Sequence, residues 1–107
     1  ALDRPERAEG PINEALRLAT DYADAWHQRG MLYLAWGKYE SALSDFEAAI
    51  RADGNNLDAR LQAAAIHHAS NKMEQASAAW RGVLALEPDH PLARQRLQDC
   101  EQHLAAL

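Results

Sequence analysis

The most constraining feature of this chain is that it matches itself under one fixed shift, a period of about 34 residues. Ala42, Phe46 and Ala49 fall on Ala76, Trp80 and Val83, and in the other direction on Ala8, Ile12 and Ala15. Asp53-Gly54-Asn55 falls on Glu87-Pro88-Asp89. A period of this length is one supersecondary unit, too small to bury its own apolar face. The chain must therefore stack copies of that unit, and each copy must be closed by its neighbours.

The unit itself is legible between Ala25 and Asn56. Trp26, Gly30 and Tyr33 lie four and three residues apart, which puts them on one face of a helix. After Gly37, Tyr39, Ala42, Phe46, Ala49 and Ile50 repeat the same steps. Two amphipathic helices joined at a glycine make a hairpin. No stretch alternates apolar and polar residues long enough for a strand, so the fold class is all-α. With 107 residues, 48% of them hydrophobic, one modest core is expected.

In chain order, residues 1–22 read as the second half of a truncated repeat. Asp3 caps it, Pro5 sits in its first turn, and Ala8, Ile12, Ala15, Leu16 and Ala19 form a stripe. A kink or restart is expected at Gly10-Pro11, because a proline so far inside a helix removes a backbone bond. Residues 23–56 and 57–90 are full repeats, and 91–107 is a capping helix. Helices are predicted at 23–36, 39–52, 57–70, 73–86 and from Pro91 to about Ala105. Gly54 is expected to take the left-handed turn position with Asn56 as the next cap, and Asn71 with Glu74 a capping box. Ala76, Ala79, Trp80, Val83 and Leu84 should point inward, as should Leu92, Ala93, Leu97, Cys100 and Leu104. The start in mid-repeat predicts a piece of a longer array.

The signature Trp26-x-x-Arg29-Gly30-x-x-Tyr33, followed by Ala42-x-x-x-Phe46, resembles the tetratricopeptide (TPR) repeat. It departs at Arg29, where the pattern has Leu, and at Gly54, where it has Pro; Pro88 keeps the pattern. The front of the second copy is weaker, with Arg60, Ala63, Ala64 and His67. The resemblance implies a right-handed α-solenoid of antiparallel helix-turn-helix hairpins, forming a single domain over residues 1–107. Gly30 and Ala42, then Ala64 and Ala76, would let paired helices approach. Phe46 and Trp80 would fill the wedges between hairpins, each burial contributing on the order of 2–3 kcal/mol. Arg29 would snorkel outward to a carboxylate such as Glu14. Trp36, at its helix end, either packs on the amino-terminal helix or stands as an exposed contact.

Chemistry is sparse. A net charge of −5 with scattered basic residues disfavours nucleic acid and anionic membranes, and no apolar run approaches a membrane span. One cysteine excludes an internal disulfide, and Cys100 reads as a half-buried inert thiol. The histidines lack metal-ligand spacing, the serines lack a glycine elbow, and Glu40, Asp45 and Glu47 read as a solvated face. No catalytic residue, metal or cofactor is assigned. The expected role is a non-catalytic scaffold for a protein or peptide partner. The resemblance implies a concave groove lined by Asp24, His27, Gln28, Met31 and Leu34, then Leu61, Gln62, Ala65 and His68, with Arg96 from the capping helix. Met31, Leu34 and Leu61 would receive apolar side chains. TPR co-chaperones that hold a heat-shock chaperone's C-terminal carboxylate use Lys and Asn where this chain has His27 and Met31. The later basic positions read Leu92 and Arg96, so that clamp is not expected. The alternative role is self-association, with a second copy of the chain covering the open N-terminal edge at Ile12 and Leu16.

Overall fold

A computed structural model describes residues 12–13 and 22–107. The expectations for the rest of 1–22, including the restart at Gly10-Pro11 and the Leu16 edge, lie outside the described residues. Among the described residues there are five helices and no strand: α1 (Ala23–Ala35), α2 (Tyr39–Ala52), α3 (Leu57–Ala69), α4 (Met73–Leu86) and α5 (Pro91–Ala105). Each lies within one residue of its predicted bounds. By contact density the chain divides into a unit ending at Ala59 and a unit from Arg60 to Leu107.

In the first unit, α1 and α2 are joined by a Schellman turn. Lys38 N–H donates to the Tyr33 carbonyl at 2.8 Å and Gly37 N–H to that of Leu34 at 3.0 Å. This closure needs a left-handed residue, and Gly37 supplies it at φ 77° without a Cβ clash. The buried set is Ala25 and Gly30 from α1, Ala42, Asp45, Phe46, Ala48 and Ala49 from α2, and Ala59 from the start of α3. Phe46 is fully enclosed. A Cβ built on Gly30 would lie 2.9 Å from the ring of Phe46, so this glycine makes room for the aromatic of its own hairpin. Tyr39, expected inward, is 56% exposed at the first residue of α2, before the helix turns its apolar face to α1.

The second unit repeats these devices with different residues. Lys72 N–H donates to the His67 carbonyl at 2.9 Å and Asn71 N–H to that of His68 at 3.0 Å. Asn71 stands at φ 60°, so it is the left-handed residue of a second Schellman turn and not the opener of a capping box. Asparagine is among the few L residues that tolerate this conformation. Its core is Ala63, Ala64 and Ile66, then Ala76, Ser77, Trp80 and Val83, then Ala93 and Cys100. Leu92, expected inward, is 46% exposed: one residue before Ala93, it sits about 100° round the helix from the buried stripe.

The turns after α2 and α4 also correspond. Asn56 Oδ1 accepts the Ala59 N–H at 3.0 Å, and His90 Nδ1 accepts that of Ala93 at 3.2 Å, so the same position caps both following helices. Gly37 and Asn71 are the positive-φ positions among the described residues, so Gly54 does not take the left-handed conformation expected of it. Its counterpart one period later is Pro88, whose ring fixes a negative φ. The turn asks for a negative φ in both copies.

Candidate interaction surface

The first helix of the first hairpin turns Ala25 and Gly30 into the core and leaves Asp24, Gln28 and Met31 exposed, with His27 and Leu34 half-buried. Met31 is 39% exposed, one of few large apolar side chains so open. His27 is tied into the fold: Nε2 contacts the Asp58 carboxylate in the first turn of α3, and the ring meets Phe46 edge-on at 5.7 Å. In the second unit Ala65 and Arg96 are exposed, while Leu61, Gln62 and His68 are half-buried. Arg96 Nη1 lies 3.5 Å from Asp99 Oδ2. His68 faces inward at its polar tip, where Nδ1 accepts the Trp80 indole N–H at 3.3 Å.

Arg29 corrects the sequence reading most. Its side chain is 22% exposed, and it meets Asp45 through two parallel bonds, Nε to Oδ2 at 2.7 Å and Nη2 to Oδ1 at 2.8 Å. Asp45, expected on a solvated face, is 3% exposed. Such fork-to-fork pairing satisfies both ions, which is the condition for burying them. Glu14 lies outside the described residues, and Nη1 also donates to Asn13 Oδ1 at 2.8 Å. The guanidinium stands 5.2 Å from the Trp26 ring centroid and 5.5 Å from that of Tyr33. Lys38 Nζ continues the series at 4.4 Å from Trp36, which is half-buried beside Tyr33. An internal signal for this pair existed: one period later, Arg29 and Asp45 both become alanine, Ala63 and Ala79, so the two change together.

The described residues offer recognition surfaces more readily than reactive groups. Cys100 is fully buried, not half-buried, and burial first, then the Asp99 and Glu101 charges, push its thiol pKa up. A thiol so placed is a poor nucleophile. Ser77 is buried and donates to the Glu74 carbonyl at 3.2 Å. Among the described residues no three side chains drawn from His, Cys, Asp and Glu converge as a metal-binding group. No described helix is long and apolar enough to cross a membrane.

Comparison with known proteins agrees with this geometry. A tetratricopeptide repeat family model matches residues 33–100. Sperm-associated antigen 1 of Mus musculus is 34% identical over 82 residues, covering 77% of this chain and 9% of that protein. A TPR repeat-containing protein of Rhizobium etli is 28% identical over 94 residues, covering 88% of this chain and 46% of its own length. The chain thus spans less than half of either relative. Among solved structures, the second TPR domain of human RPAP3, in complex with the HSP70 peptide SGPTIEEVD, is 28% identical with a TM-score of 0.77, covering 91% of this chain and 81% of that one. The repeat spacing, the hairpins and the family match agree: this chain belongs to the tetratricopeptide repeat family, whose members are in general non-catalytic scaffolds for protein interaction.

Proposed function

We propose that this chain binds a peptide segment of a partner protein on the open faces of the first helices of its hairpins. In the first unit Met31 and Leu34 receive apolar side chains beside the polar Asp24 and Gln28; in the second, Leu61 does so, with Gln62 and Arg96 as its polar contacts. The observation that carries this reading is the division of α1. Ala25 and Gly30 are spent on the core, while Met31 stays 39% exposed, where packing does not need it. Ala65 on α3 stands in the same open position.

The peptide taken differs from the acidic one held by the RPAP3 domain. His27 and Met31 stand where a carboxylate clamp needs Lys and Asn, and His27 is already engaged by Asp58. Asp24 and Asp58 add negative charge to this face, which repels an acidic tail. The chain should therefore bind SGPTIEEVD no better than a scrambled version in a fluorescence-anisotropy titration. Affinity capture with wild type, Leu34→Glu and Leu61→Asp tests the surface directly. Both variants should lose the captured partner while helicity and monomer mass by light scattering stay unchanged. Capture that survives both substitutions would place binding elsewhere.

A further inference from the structure

His68, Met73 and Cys100 bring three soft donor atoms together inside the second unit. Cys100 is their shared corner: its Sγ lies 3.5 Å from His68 Nδ1 and 3.7 Å from Met73 Sδ. The three side chains come from the last turn of α3, the first residue of α4 and the middle of α5. We propose that they form a binding site for copper(I). An imidazole nitrogen, a thiolate and a thioether are the donor set that selects this ion, whereas a zinc site closes with four ligands and does not use thioethers. Geometry agrees as well. Metal–donor bonds of about 2.0–2.3 Å in a trigonal arrangement hold the donors roughly 3.5–4 Å apart, and both distances from Cys100 Sγ, to His68 Nδ1 and to Met73 Sδ, match that spacing.

The surroundings favour a cation. Asp99 and Glu101 flank Cys100 and place negative charge beside its sulfur. Cys100 is closed to solvent, but His68 and Met73 are half-buried, so an ion enters from their side. Two changes accompany binding. The Cys100 S–H bond breaks, a copper–sulfur bond forms, and the proton leaves to water; the metal stays in the +1 state throughout. His68 Nδ1 gives its lone pair to the metal, so the Trp80 N–H loses its acceptor. Trp80 is consequently a built-in reporter.

The test is an anaerobic titration of the whole chain with copper(I) against a chromogenic copper(I) chelator, repeated with zinc(II). One equivalent of copper should be held, with one proton released and Trp80 fluorescence changed in a Trp26→Phe, Trp36→Phe background. Cys100→Ser should abolish retention. Met73→Leu, which conserves volume, and His68→Gln, which keeps an acceptor for Trp80, should each weaken it at least about tenfold. Circular dichroism checks that each variant stays helical; the wild-type stoichiometry and Trp80 response stand even if one variant unfolds. Failure to compete with the chelator, or equal retention by Met73→Leu and His68→Gln, would reduce the cluster to packing around a plain thiol and overturn the site. Zinc held as tightly as copper would overturn the assignment too.

Discussion

Where the first hairpin holds Arg29 against Asp45, the second holds Ala63 and Ala79. Both hairpins enclose one large aromatic, Phe46 or Trp80, between small residues at matching positions. Both end their first helix with a left-handed residue, Gly37 or Asn71. The difference teaches that the repeat dictates which positions point inward while leaving open what fills them. A charge is admitted at such a position only when the facing helix supplies its partner in a bidentate geometry. The pair is therefore a local solution confined to one copy, and its neighbours Trp26 and Tyr33 stack on it where the second copy has Arg60 and His67.

The comparison can be broken first at the aromatics. Phe46→Ala and Trp80→Ala should each cost roughly 3–5 kcal/mol in urea unfolding. A loss below about 1 kcal/mol at either position would mean that the two hairpins do not share one packing logic. Next comes the ion pair. Asp45→Ala should cost about 2–4 kcal/mol, because Arg29 keeps its charge in a mostly buried place. The double variant Arg29→Ala, Asp45→Ala copies the second hairpin and should cost less than Asp45→Ala alone. Additive losses in that cycle would show that the pair does not act as a unit.

Smaller effects sharpen the contrast. Gly30→Ala pushes a methyl into the Phe46 ring and should cost about 1–3 kcal/mol, although the second hairpin carries an alanine, Ala64, at that position. At the turns, Gly37→Ala should cost about 1 kcal/mol, while Asn71→Gly should be neutral or slightly stabilising; thermal melts distinguish them. The smallest effect belongs to the second unit, which holds the cysteine. Because the folded Cys100 thiol keeps its proton to higher pH than the unfolded one, its contribution is complete below the ordinary value of 9.0. That contribution is lost as pH rises through the folded value. Wild type should therefore lose stability relative to Cys100→Ser on going from neutral to strongly alkaline pH.

Much of the fold was readable from spacing. Phe46 and Trp80 were expected inside and are fully enclosed; Asn56 was expected to cap α3 and does. The turns were read less well. Asn71 looked like a helix opener because Glu74 follows three residues later, yet the backbone uses its tolerance of positive φ. Leu92 and Tyr39 look apolar in sequence, but one step round a helix or one residue at its start is enough to leave a side chain in water.

What the sequence determined alone is whatever depends on one segment at a time. The helical apolar stripe and its recurrence along the chain specify the helices, their approximate bounds and most of their inward faces. What only the tertiary structure decided is who meets whom. Arg29 and Asp45 are 16 residues apart, and His68 and Cys100 are 32 apart. Such pairs form through the axial offset and crossing of packed helices, which set where a side chain on one meets its counterpart on the next. A stripe tells a residue which way to face; only the neighbouring helix tells it what it will find there.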